Sequence, residues 1–149
     1  MHVSMIMKKK VETVDMHESA EAAWNTMQLR RIRHLVVTDG PEIVGVLSER
    51  DLGGDDRRAM RANQKVLNVM TPYAVKAHPD MPVRQAANMM RGWTIGCLPV
   101  VDNGKLVGIV TVSDLLELVG KGIEKPVPRT KRWTLKRRAP RIRKARTGS

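Results

Sequence analysis

Two stretches of the chain place a hydroxyl and a carboxylate at the same spacing. They are Gly45-Val46-Leu47-Ser48-Glu49-Arg50-Asp51 and Gly108-Ile109-Val110-Thr111-Val112-Ser113-Asp114. An ionised carboxylate only accepts hydrogen bonds, and it can take two donors from a cis-diol. A Ser or Thr hydroxyl three residues earlier, beside backbone N–H groups at a helix start, favours an anion such as phosphate. The same spacing also describes a helix N-cap followed by a first-turn acid, which stabilises a helix without any ligand. The two roles are compatible. Ahead of the first stretch stand Arg33 and His34, and Arg50 lies beside Asp51. Arg33 offers a planar fork of donors to a phosphate, and His34 gains charge if the phosphate raises its pKa. Arg30, Arg31 and Arg33 equally suit the C-terminal end of a helix dipole.

Other chemistry finds little support. Cys97 is the single cysteine, which excludes an internal disulfide and a multi-cysteine zinc site. His2, His17, His34 and His78 are scattered without the paired spacing of metal ligands. No nucleophile–base pair or catalytic loop stands out, so the chain reads as non-catalytic and in need of no cofactor.

The elements that position these residues come from an internal repeat, a signal to be sought before any local assignment. Shifting the chain by 63 residues matches Ile6–Leu52 to Val69–Leu115 without a gap. Met7 falls on Met70, Ala23 on Ala86, Met27 on Met90, Leu35 on Leu98, Gly45 on Gly108 and Asp51 on Asp114. Ala20, Ala23, Trp24 and Met27 form one helical face, repeated by Val83, Ala86, Ala87 and Met90. Ser19 suits an N-cap, and Pro82 a first helical turn. Leu35-Val36-Val37 and Ile43–Leu47 predict an antiparallel hairpin about Asp39-Gly40-Pro41. Leu98–Val101 and Leu106–Val110 predict its twin about Asp102-Asn103-Gly104. A second helix is expected to begin near Asp51 in one copy and near Asp114 in the other.

Helix face, hairpin and the closing Gly-x-x-(Ser/Thr)-x-x-Asp, occurring twice in order, resemble the CBS (cystathionine beta-synthase type) repeat. Two such repeats make a Bateman module. The lead-in Val69-Met70-Thr71-Pro72 is similar to the segment that opens many of these repeats. The resemblance implies an α/β fold of two tandem β-α-β-β-α units, packed through their sheets with pseudo-two-fold symmetry. It places repeat one at 1–60, a linker and repeat two at 61–122, and a basic tail at 123–149. It further implies two related clefts that bind AMP, ADP or ATP as regulatory ligands, in a molecule that pairs as a homodimer. In such clefts Asp51 and Asp114 would hold the ribose, with Ser48 and Thr111 approaching the phosphate. Arg33, His34 and Arg50 would reach the phosphates of the Asp51 cleft. Copy two has Gly96-Cys97 where copy one has Arg33-His34, so the Asp51 cleft is expected to be the better phosphate site. Candidates for the adenine are Val75, Lys76, Ala77 and Ile95 in the Asp51 cleft. In the Asp114 cleft they are Thr13, Val14 and Ile32.

The composition fits a globular body with a different tail. Hydrophobic residues make up 42% and charged residues 28%, with ten Met and no Phe. The net charge of +12 is concentrated after residue 120. Residues 121–149 hold twelve Lys and Arg against Glu124 alone, whereas residues 1–120 hold fifteen against fourteen acids. Pro126, Pro128 and Pro140 discourage regular structure there, and the tail is expected to be disordered by itself. Lys131-Arg132-Trp133 and Lys136-Arg137-Arg138 suit nucleic-acid phosphates with Trp133 free to stack, or else an acidic protein or anionic membrane surface. A merely solvating tail is the alternative. No apolar run reaches the roughly 18 residues of a membrane span, and no secretory signal is legible at the start. A soluble, cytoplasmic protein is the expectation.

Overall fold

The computed structural model describes residues 1–53, 57–72 and 75–120. Met1–Leu118 form one compact unit. Of the second unit, Val119–Ser149, only Val119 and Gly120 are described, so the expectations for the basic tail lie outside the described residues.

The first copy begins with strand β1 (Thr13–Asp15) and helix α1 (Ala20–Arg30), followed by β2 (His34–Asp39) and β3 (Glu42–Ser48). Ser19 caps α1 as its residue type predicts, its Oγ accepting from the Ala22 N–H at 3.0 Å. The face Ala20, Ala23, Trp24 and Met27 is buried. It packs on Leu35, Val37 and Leu47 of the hairpin, with Leu52 and Val66. A 3-10 turn (Arg50–Leu52) follows β3, then the short helices α2 (Arg58–Ala62) and α3 (Val66–Val69) and a two-residue strand β4 (Thr71–Pro72).

The second copy repeats the plan in α4 (Val83–Trp93), β5 (Cys97–Asp102), β6 (Lys105–Thr111) and α5 (Val112–Gly120). Pro82 stands one residue earlier than the sequence suggests, as the cap preceding Val83. Ala86 and Met90 of α4 pack on Leu98, Val100 and Val110. Both α1 and α4 stop on a non-glycine left-handed residue, Arg31 (φ 58°) and Thr94 (φ 54°), 63 positions apart. Both hairpins are antiparallel, and their registers slip at matching places, between Val37 and Thr38 and between Val100 and Val101.

The sheets are built by exchange. In the first, the order is β1-β2-β3-β4, with β1 parallel to β2 and β4 antiparallel to β3. The outer strand β4 comes from the lead-in to the second copy. Reciprocally, Lys8 from the lead-in to the first copy forms an antiparallel bridge with Ile109 of β6. Ala77 makes the parallel bridge to Val100 that matches Val14 beside Val37. Each copy thus completes the other's sheet, in the pseudo-two-fold arrangement the repeat implied. Between the sheets, Val36, Val46, Cys97 and Ile109 form a buried apolar layer. Removing each such side chain from water contributes about 1.5–3 kcal/mol.

The structure corrects one expectation. The segment at Asp51 is a single 3-10 turn closed by Gly53 at φ 80°, whereas the segment at Asp114 is a nine-residue α-helix. Among the described residues, only the second motif therefore sits at the start of an α-helix, so a helix dipole can favour an anion at Asp114 and not at the single turn of Asp51.

Candidate functional site

The two motifs fold locally into the same ring. The Ser48 N–H donates to Asp51 Oδ2 at 2.8 Å, and the Asp51 N–H donates to Ser48 Oγ at 3.2 Å. In the second copy the Thr111 N–H donates to Asp114 Oδ2 at 2.8 Å, and the Asp114 N–H to Thr111 Oγ1 at 3.4 Å. This is the reciprocal capping that the spacing allowed. It uses one oxygen of each carboxylate and leaves the other to decide what the site can do.

The second oxygens differ. Asp51 is half-buried, and among the described residues its Oδ1 accepts no hydrogen bond. Asp114 Oδ1 accepts from the Lys8 ammonium. The Asp114 side chain is 2% exposed and that of Lys8 61%. The Asp114 hydrogen bond raises the Lys8 pKa above its ordinary value against the opposing effect of desolvation, so the ammonium is held charged.

Asp51 lines a cleft of about 840 Å³. Around it stand Ser48, Glu49 and Arg50, then Arg33 and His34 at the entry to β2, and Trp24 and Gln28 from α1. The second copy closes the opposite wall with Ile95, Gly96 and Cys97 and with Val112, Ser113 and Leu116 at the start of α5. Thr71 of β4 completes the lining. A larger groove, about 930 Å³, lies along α4 between Met1, Val83, Met89 and Trp93. None of the residues of either motif lines it.

The cleft's charges are arranged about Glu49. Gln28 Nε2 donates to Glu49 Oε2 at 3.2 Å, and Arg33 Nε stands 3.9 Å from Glu49 Oε1. The Arg33 side chain is 81% exposed, so this pair restrains it only weakly and leaves its fork available. Burial lowers the His34 pKa below its ordinary 6.5, with Arg33 adding to the shift and Asp51 and Glu49 opposing it. Across the pseudo-two-fold, burial pushes the Cys97 thiol up to about 12.

The geometry gathers Ser48, Asp51, Arg33, His34, Arg50 and Ile95 at one cleft. The other adenine candidates for this cleft, Val75, Lys76 and Ala77, do not line it. Ala77 is buried in the second copy's core, with Val75 packed against the same cluster and Lys76 exposed. Of the candidates for the Asp114 cleft, Val14 and Ile32 pack on the first copy's core, while Thr13 is exposed beside Val36. Side chains of β1 alternate between core and solvent, which turns Val14 inward and Thr13 outward. Trp24, Gln28, Glu49 and Thr71 line the cleft without having been singled out. Trp24 sits on the predicted core face of α1, and Thr71 is recognisable only through its partner strand.

Comparison with known proteins decides the family. The model of the CBS domain matches this chain twice, at residues 3–52 and 66–121. The chain belongs to the CBS domain family. This CBS pair is 32% identical over 139 residues to a CBS domain-containing protein of Dictyostelium discoideum, covering 85% of this chain and 95% of that protein. It also matches longer enzymes, of which it spans 24%. Among solved structures it is similar to the CBS domain pair of protein MJ0100 in complex with 5-methylthioadenosine and S-adenosyl-L-methionine. That match has a TM-score of 0.71 and 29% identity, covering 80% of this chain and 96% of the other. CBSX2 in complex with AMP matches with a TM-score of 0.66 and 25% identity, over 79% of this chain and 95% of the other. No described helix of this CBS pair is long and apolar enough to cross a membrane.

Proposed function

We propose that this CBS pair is a non-catalytic regulatory module that binds an adenosine nucleotide (AMP, ADP or ATP) in the Asp51 cleft. One observation carries the reading: Asp51 faces the cleft with an oxygen free of partners among the described residues, beside the donors of Arg33, His34 and Arg50. The carboxylate takes the ribose diol, and the three bases with Ser48 take the phosphate. Ile95 lies among the apolar groups available to the adenine, together with Trp24 and Val46. Adenosine compounds in the MJ0100 and CBSX2 complexes support the same ligand class here. Binding across two repeats favours one relative placement of the sheets, which a partner can read as a population shift.

Calorimetric titration of adenosine, AMP and ATP tests this against wild type, Asp51→Ala, Arg33→Ala and Asp114→Ala. Asp51→Ala should weaken binding at least tenfold, and Arg33→Ala should weaken ATP more than adenosine. Tight binding to Asp51→Ala, with loss in Asp114→Ala, overturns the assignment.

The charge of residues 121–149 favours a second reading, in which the tail binds nucleic acid or an acidic protein and the pair serves as a dimerising scaffold. Filter binding at two salt concentrations, with and without residues 121–149, separates the readings. Salt-sensitive binding that disappears with the tail supports the second.

A further inference from the structure

The two motifs share one ring of backbone-to-side-chain hydrogen bonds and differ in the partner of the second carboxylate oxygen. Asp51 lines the cleft and its Oδ1 accepts no hydrogen bond among the described residues, whereas Asp114 Oδ1 is held by Lys8, a residue 106 positions away in sequence. The placement of Lys8 follows from the exchange of lead-in segments. Its backbone N–H donates to Ile109 O at 2.9 Å, and its carbonyl accepts from the Ile109 N–H at 2.9 Å. This fixes the residue on β6, two positions before Thr111. The corresponding position in the other half is Thr71, paired with Val46 on β3. Thr71 lines the Asp51 cleft and makes no bond to Asp51. A long cation and a short hydroxyl therefore occupy equivalent places beside the two carboxylates.

We infer that Lys8 sets the stoichiometry of the pair: its ammonium fills the ribose-diol position at Asp114, so that one cleft rather than two accepts a nucleoside. The inference rests on reading Asp51 as a ribose ligand.

The energetic comparison favours the lysine. Asp114 is almost wholly withdrawn from water, and a buried carboxylate deprived of its cation is strongly destabilised. A ribose offers two neutral hydroxyl donors, whereas the ammonium both donates to the carboxylate and neutralises its charge. Lys8 is also tethered to β6 and loses little freedom by staying, whereas a nucleoside must be captured from solution. Glu117 Oε1, 3.9 Å from the Lys8 ammonium, adds a second attraction from α5. Among the described residues no side chain makes an equivalent bond to Asp51.

Adenosine, which lacks a phosphate, is the probe that isolates the diol contact. Calorimetry on the full chain should count one site in wild type and in Lys8→Arg, and two in Lys8→Thr, which copies the residue at Thr71. In the Lys8→Thr background, Asp51→Ala should leave one site. Two sites in wild type overturn the inference, as does an unchanged count in a folded Lys8→Thr protein. Amide NMR of wild type provides a readout independent of any variant. Adenosine should move the resonances of Ser48 and Asp51 and leave Thr111 and Asp114 in place, and equal shifts at both motifs overturn the inference. If wild type binds no adenosine while Lys8→Thr gains a site, the Asp51 reading fails and the role of Lys8 stands.

Discussion

A methyl group placed on Gly45 would stand 2.5 Å from the carbonyl oxygen of Thr71, a contact that no real side chain makes. The Met70 sulfur would lie 2.9 Å from the same methyl. Gly108 repeats the relationship with Met7 and with the Lys8 carbonyl, at 2.6 and 3.0 Å. These two glycines are where each copy accepts a strand from the other. Gly45→Ala should therefore destabilise the fold by about 1–3 kcal/mol, because the obstacle is backbone and cannot rotate away. Urea unfolding of Gly45→Ala beside Gly40→Ala is the check. Gly40 meets open space, and its cost comes only from φ 61°.

His34 should couple phosphate binding to proton uptake. Burial holds its folded pKa below 6.5, so the imidazole is neutral in the free protein at neutral pH. An arriving phosphate favours the charged form and raises that pKa, so AMP affinity should rise as pH falls through about 6.5. Folding stability moves the other way. The unfolded chain gains this proton first, so the His34 contribution to stability is lost as pH falls below 6.5. Titrating AMP at pH 6.5 in two buffers of different ionisation enthalpy measures the uptake. It should shrink in His34→Gln and be absent with adenosine. Equal uptake by wild type and His34→Gln removes His34 from the phosphate site.

Cys97 should be inert in the folded protein despite lining the cleft wall. A thiol moved from 9.0 to about 12 holds about 1000-fold less thiolate at any pH below both values. Iodoacetamide labelling at pH 8 should follow the rate at which the molecule opens and become fast in urea. Rapid labelling of the native protein would mean that the inter-sheet layer is less closed than the structure shows.

Arg61 is expected to matter more than any exposed base. Its side chain is 2% exposed, and its guanidinium lies 4.1 Å above the Trp24 ring. It also bonds Glu21 Oε1 and the Leu52 carbonyl, each at 3.1 Å. Arg61→Met removes the fork and leaves both acceptors short of a donor, at a cost of about 3 kcal/mol. Because Trp24 borders the Asp51 cleft, the substitution should also weaken AMP binding. Thermal melting and one titration read both effects, and a loss of stability with unchanged affinity would separate Trp24 from the ligand.

Sequence pattern alone revealed the repeat, its 63-residue register, the core-facing side of both long helices and both hairpins. Those features are local: a helix face recurs every three or four residues and a hairpin needs only its turn, so neighbouring residues suffice to reveal them. Arg33 and His34 were legible because the second copy served as a reference that lacked them. The tertiary structure decided the rest. It exchanged Thr71 and Lys8 between the sheets, made a 3-10 turn of the segment at Asp51, and turned Val75 and Ala77 toward a core instead of the cleft. Above all it joined Lys8 to Asp114. A lone lysine in a basic Lys8-Lys9-Lys10 run has no period and no motif, and its partner is fixed by strand exchange across the whole body of the fold. Local pattern therefore showed two carboxylates in one motif with unequal basic neighbours, and long-range packing added the unequal partner, Lys8.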